Sequence, residues 1–105
     1  RRSSGHAAPV VRLGPLTLDQ RQMRVVRNGV AVPLSALEYR LVSYLMLNRG
    51  RVISQQELID HVYGHDNDRE SNAMEVLLGR VRRKLGANLI ETRRGFGYLV
   101  PADRE

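Results

Sequence analysis

Met74, Leu78, Val81 and Leu85 are spaced so that, at about 100° per residue, all four fall within about 60° of one another on a helix. So narrow an apolar seam has to lie against a core. The opposite side, centred about 190° from Met74, collects Asn72, Val76, Gly79, Arg80 and Arg83. Ala73 lies at its edge, and Arg69 joins it if the helix starts early. A merely solvated face is polar throughout, whereas this one mixes arginines with small and apolar residues. Val76 and Ala73 gain nothing from water but can meet a thymine methyl. Gly79 costs a helix interior about 1 kcal/mol relative to alanine, which suits the close approach of something large. Arg80 has the reach and fork geometry for a guanine edge, and Arg83 and Arg69 suit phosphates. The alternative is that Gly79 and Val76 are drift on a tolerant surface.

Charge sharpens this reading by its location. The net charge is +6 over 105 residues, and 79–94 hold six cations (Arg80, Arg82, Arg83, Lys84, Arg93, Arg94) against the single acid Glu91. Charge gathered in one segment points to a polyanion partner, with a solvated basic face as the plain alternative. Lys84 is the one lysine; every other basic residue is arginine, which makes two-point contacts to phosphate and guanine.

The order of elements follows from turn and cap signals. Residues 1–9 read as an interdomain linker closed by Pro9, and a linker there suggests that another domain precedes it. Strands are expected at 10–13, 16–18, 23–27 and 30–34, broken by Gly14-Pro15 and by Asn28-Gly29, the strongest two-residue hairpin signal. Ser35-x-x-Glu38 is a capping box opening a helix over 35–48 that Gly50 stops. Val52-Ile53 suits a very short strand, and Ser54-x-x-Glu57 is a second capping box whose helix ends at Gly64. Residues 65–70 are loop chemistry, a third helix runs over 72–85, and strands follow at 89–93 and 97–100. Residues 10–101 thus form one α+β domain: a four-stranded antiparallel sheet, a three-helix core and a C-terminal β-hairpin wing. That is a winged helix-turn-helix, with 102–105 as a tail.

At the hairpin tip, Arg93 and Arg94 stand beside Gly95, Phe96 and Gly97. Glycines let such a tip turn tightly and lie against another backbone, and an arginine there can enter a narrow minor groove. The plain alternative is a basic turn in solvent with Phe96 packed as a plug. Other chemistry finds little support. Gly95-x-Gly97 lacks the rest of any phosphate-loop pattern, and His61 and His65 are separated by helix-ending Gly64 without a metalloprotease Glu. Asp66 and Asp68 lack the closing glutamate of a calcium loop. No catalytic triad, metal site or cofactor site is expected, and there is no cysteine. The apolar run 41–47 is too short to cross a bilayer, and 1–9 lack the apolar stretch of a signal peptide.

Several motifs carry a family likeness. Leu34-Ser35-x-x-Glu38-Tyr39-x-Leu41, Gly50-Arg51-Val52-Ile53-Ser54-x-x-Glu57-Leu58, Ser71-Asn72-Ala73-Met74-Glu75-Val76 and Arg80-Val81-Arg82-Arg83-Lys84-Leu85 resemble the OmpR/PhoB family of response-regulator effector domains. The most specific piece is Glu91-Thr92-Arg93-Arg94-Gly95-Phe96-Gly97-Tyr98, close to the family's T-x-R-G-x-G-Y wing. The likeness covers about residues 10–101. It implies a third helix in the major groove and a wing arginine, here Arg94, in the minor groove. By position it implies DNA contacts from Asn72, Ala73, Val76, Leu77, Arg80 and Arg82; Arg69, Arg83, Lys84 and Arg93 complete the expected DNA-binding set. Simple helical geometry disagrees at Leu77, which falls between core and groove, and at Arg82, which falls near the core side. The chain also departs from the family in having Asn72-Ala73 where Arg-Thr is common, and Leu77 and Gly79 where polar residues are.

The resemblance further implies a cytoplasmic transcription regulator of a two-component phosphorelay, with no membrane contact. It would bind double-stranded DNA as a homodimer on direct-repeat promoter sites. The 63–70 loop would meet RNA polymerase, and a cognate sensor kinase would act on a receiver domain outside this chain. A winged helix serving an acidic protein partner, or a regulator lacking a receiver and tethered by another domain, are the rival readings.

Overall fold

The computed structural model describes residues 10–64 and 71–102. Four short strands, β1 (Val10–Leu13), β2 (Leu16–Asp19), β3 (Arg24–Arg27) and β4 (Val30–Val32), form an antiparallel sheet in that order. Three helices follow: α1 (Ala36–Leu47), α2 (Gln55–Tyr63) and α3 (Ser71–Leu85). A hairpin of β5 (Glu91–Arg93) and β6 (Gly97–Leu99) completes the order.

Asn28 and Gly29 both take positive φ, 53° and 82°, and Arg27 pairs with Val30 across them, so the two-residue hairpin forms as its chemistry requires. The expected strand at 23–27 starts one residue later. The Asp19 carboxylate accepts the backbone N–H groups of Arg21 and Gln22 at 3.0 and 3.2 Å, drawing that segment into a turn, and Met23 sits at φ 55°. The fourth strand stops at Val32 because Pro33 has no N–H to extend the ladder. The inner face of the sheet places Leu13, Leu16, Leu18 and Val25 in the core.

α1 lies at the centre. Tyr39, Leu41, Val42, Leu45 and Met46 are all buried, so the helix is apolar on more than one side, as a helix packed between layers must be. The Ser35/Glu38 capping box is complete in both directions. The second is half formed. Ser54 accepts the Glu57 N–H at 3.0 Å, but no bond returns from the Glu57 carboxylate to the cap; it is taken by Arg51 at 2.9 Å and by the Tyr44 hydroxyl. His61 stacks on Tyr44 with centroids 3.9 Å apart. Burial and then Arg40 lower its pKa, against the pull of Glu57.

Leu89 and Ile90, expected in a strand, are buried but lie before the β5–β6 ladder, which runs from the Glu91–Leu99 pair; the Leu89 N–H instead donates to the Gly86 carbonyl at 3.3 Å in the turn after α3. The hairpin is held at its root. Ile53 and Tyr98 exchange backbone hydrogen bonds of 2.7 and 2.9 Å, so the expected strand at Val52-Ile53 is a single bridge. Gly97 makes this approach possible: a Cβ there would stand 2.1 Å from the Ile53 carbonyl oxygen.

Candidate nucleic-acid interface

The seam of α3 packs inward as its spacing demands, with Met74, Leu78, Val81 and Leu85 between 0% and 4% exposed. Its far side presents Asn72, Val76, Arg80 and Arg83 to solvent, with Ala73 and Gly79 partly covered. Val76 is 46% exposed. A Cβ on Gly79 would meet only the end of the Arg83 side chain, at 3.7 Å. Nothing described in the protein thus requires glycine there, and its helical cost is unexplained from within.

Six cations of residues 79–94 divide into two groups. Arg82 donates from one nitrogen to the Ile90 carbonyl at 2.9 Å and to the Thr92 hydroxyl at 2.8 Å. It braces β5 against α3, a structural task beside the DNA contact that family position implies for it. Helical geometry places Arg82 near the core side, and these two bonds agree with that placement. Lys84 reaches back to the Glu38 carboxylate at 2.7 Å and the Pro33 carbonyl at 3.0 Å, so its ammonium is already paired within the fold while its side chain stays 38% exposed. Leu77 is 3% exposed and belongs to the core, so it presents no side chain to a groove. Arg69 lies outside the described residues.

The other cations face outward. Arg80 and Arg83 are exposed and make no hydrogen bond to a described residue; Arg80 acts on Glu38 only through its charge. Arg94 is exposed at the hairpin tip and has neither a hydrogen-bond nor an ion-pair partner among the described residues. Arg93 pairs with Glu91 at 3.4 Å, both side chains about half exposed, a pairing weak enough to yield to a phosphate. Between α3 and the hairpin lies a concavity of about 290 Å³ edged by Glu75, Gly79, Arg82, Thr92 and Tyr98. Burial and then Glu75 raise the Tyr98 hydroxyl above its ordinary pKa, with Arg82 opposing.

Sequence reasoning missed three features. The Arg82–Thr92 brace had a signal in the clash between helical angle and family position. The steric need for Gly97 had none, because its partner, Ile53, is remote in sequence. Phe96 is 76% exposed, so it is not the plug that one reading offered. Among the described residues no group of three or more His, Asp or Glu could hold a metal, and no helix is long and apolar enough to cross a membrane.

A three-helix core carrying an exposed arginine face, with a basic hairpin braced beside it, defines a winged helix-turn-helix domain. The family model described as "Transcriptional regulatory protein, C terminal" matches residues 29–100, and the chain belongs to that family. It is 41% identical over 103 residues to the two-component response regulator PhoP of Pseudomonas aeruginosa, covering 94% of this chain and 46% of that protein. It is 45% identical over 100 residues to the response regulator PmrA of the same organism, covering 95% and 45%. The chain therefore spans a little under half the length of these curated relatives. Among solved structures, the Klebsiella pneumoniae RstA DNA-binding domain in complex with its RstA box superposes with a TM-score of 0.80 at 26% identity, covering 90% of this chain and 99% of that one. The DNA-binding domain of CpxR from E. coli does so with the same score and identity, covering 90% and 98%.

Proposed function

We propose that this domain binds double-stranded DNA sequence-specifically, as the transcription-regulating effector part of a response regulator. α3 enters the major groove and the hairpin tip the adjacent minor groove. The observation that carries the reading is the disposition of Arg80, Arg83 and Arg94: exposed, unbonded to described residues, and offered by two elements that Arg82 ties together. Asn72, Ala73 and Val76 supply the rest of the major-groove face, Arg80 reads a guanine edge, and Arg83 and Arg93 hold phosphates. The named ligand of the RstA relative, an RstA box, supports the same mode here.

Selection of bound duplexes from a random pool tests the reading and yields the target. On the selected duplex, Arg80→Ala relaxes preference at one base pair, costing about 1–3 kcal/mol. Equal losses on selected and random DNA in a competition assay refute a reading role for Arg80. If heparin and duplex DNA both fail to retain the domain at moderate salt, the basic face serves an acidic protein instead.

The wider assembly belongs to the same proposal. Two copies bind direct repeats as a homodimer in the cytoplasm, the 63–70 loop meets RNA polymerase, and a sensor kinase acts on a receiver domain elsewhere in the protein. Of that loop only Tyr63 and Gly64 are described.

A further inference from the structure

We infer that Phe96 is a DNA-contacting residue in its own right, seated against the deoxyribose wall of the groove that Arg94 enters; this rests on the proposed mode of binding. A single exposed apolar side chain is ordinary on a protein surface. The location of this one is not. Phe96 is 76% exposed at the tip of the hairpin, two residues from the unpaired Arg94. The tip is a tight turn: the Phe96 N–H donates to the Arg93 carbonyl at 2.8 Å, and Arg93 pairs with Gly97 across it. Consecutive Cα atoms are 3.8 Å apart, so those of Arg94 and Phe96 are separated by at most about 7 Å. A minor groove is only about 6 Å wide. A large residue so near the inserted arginine therefore meets the wall of the groove, where sugar C–H surface is exposed.

Two further observations support the contact. The tip does not have to be ordered on binding, because its root is clamped by the Ile53–Tyr98 bridge and braced by Arg82 on Thr92. A backbone held in place beforehand loses little freedom when it docks, so only the rotamers of the Phe96 ring have to be fixed. Phe96 also lines a concavity of about 330 Å³ with Gln55 of α2 and the remainder of the tip, so a strand leaving the minor groove has a channel bordered by this ring. The benzyl group has no polar atom to distinguish base edges. It therefore adds affinity without sequence preference and without displacing counterions.

That last property makes the inference testable. Binding of the intact chain to duplexes carrying one or two selected half-sites is followed by fluorescence anisotropy over a salt series, for the native protein, Phe96→Ala, Phe96→Leu and Arg94→Ala. Phe96→Ala is expected to bind about five- to tenfold more weakly at every salt concentration, with log K against log salt parallel to the native line. Phe96→Leu recovers most of the loss. Arg94→Ala instead flattens the slope, by about 0.9 for a lost charge contact. Unchanged affinity in Phe96→Ala overturns the inference, as does a slope change like that of Arg94→Ala. A loss seen only on duplexes with two half-sites also overturns it, since Phe96 would then touch a second copy. A native protein that binds no duplex overturns the underlying functional reading instead. The melting temperature of Phe96→Ala should match the native value, since so exposed a ring contributes little to the core.

Discussion

Lys84 Nζ lies 2.7 Å from Glu38 Oε1, joining the last turn of α3 to the first turn of α1. The same carboxylate oxygen accepts the Ser35 N–H at 2.9 Å, so one buried acid caps α1 and anchors the interface helix. Burial alone would push the Glu38 pKa up. The Lys84 hydrogen bond, the Ser35 N–H and the charges of Lys84 and Arg80 outweigh it and hold the group below its ordinary 4.5. A carboxylate depressed in the folded state stabilises the fold above its unfolded pKa, and that contribution is lost as pH falls through the folded value. Glu38→Gln is therefore expected to cost about 1–3 kcal/mol at neutral pH, towards the lower end because Lys84 is partly exposed. The gap to the native protein should shrink well below pH 4.5. Urea unfolding at both pH values measures it, and an equal gap at both contradicts the linkage.

Arg82, Arg83 and Lys84 are adjacent in sequence but differently placed: Arg82 bonds Ile90 and Thr92, Lys84 bonds Glu38 and Pro33, and Arg83 is exposed. Arg83→Ala should flatten the salt dependence of DNA binding by about 0.9 in log–log slope, the value for one phosphate contact. Lys84→Ala should leave that slope alone and lower stability. Arg82→Ala should weaken binding by loosening the hairpin, seen as faster amide exchange at Thr92 and Tyr98. If Lys84→Ala flattened the slope as much as Arg83→Ala, its assignment to the fold would be wrong.

Gly97→Ala drives a methyl into the Ile53 carbonyl, which belongs to the backbone and cannot swing aside. The expected cost is about 1–3 kcal/mol for overpacking, with the hairpin displaced from the body of the domain. Gly95→Ala faces open space and bears only the strain of φ 85°, about 1–2 kcal/mol. NMR shifts at Ile53 and Tyr98 should move in the first variant and stay in the second.

Gly79→Ala should act with opposite signs on folding and binding. Room exists beside it, because the nearest atom is the movable end of Arg83 at 3.7 Å. Thermal unfolding should show a gain of about 1 kcal/mol from helix propensity. On the proposed docking, affinity for the selected duplex should fall, because the added methyl would meet the groove edge. A stabilised variant with native affinity would mean that the glycine has no part in binding.

The alternation and capping signals of this chain are local, and they were legible residue by residue. Asn28-Gly29 dictates its turn, Ser35 and Ser54 start their helices, and the Met74–Leu85 seam chooses its own inner face, because each depends on neighbours within one or two turns of chain. Which cations remained available could not be read that way. Lys84 is claimed by Glu38, 46 residues earlier, and Arg82 by Thr92 on another element. Leu77 was drawn into the core by α3's packing, and Phe96 was left outside it. Periodicity ranks the faces of a single helix, but a side chain's hydrogen-bond partner and its distance from solvent are set by whichever remote segment packs beside it. The basic face was therefore evident from the chain alone, while the division of its charges between holding the fold and meeting a ligand arose only when helices, sheet and hairpin came together.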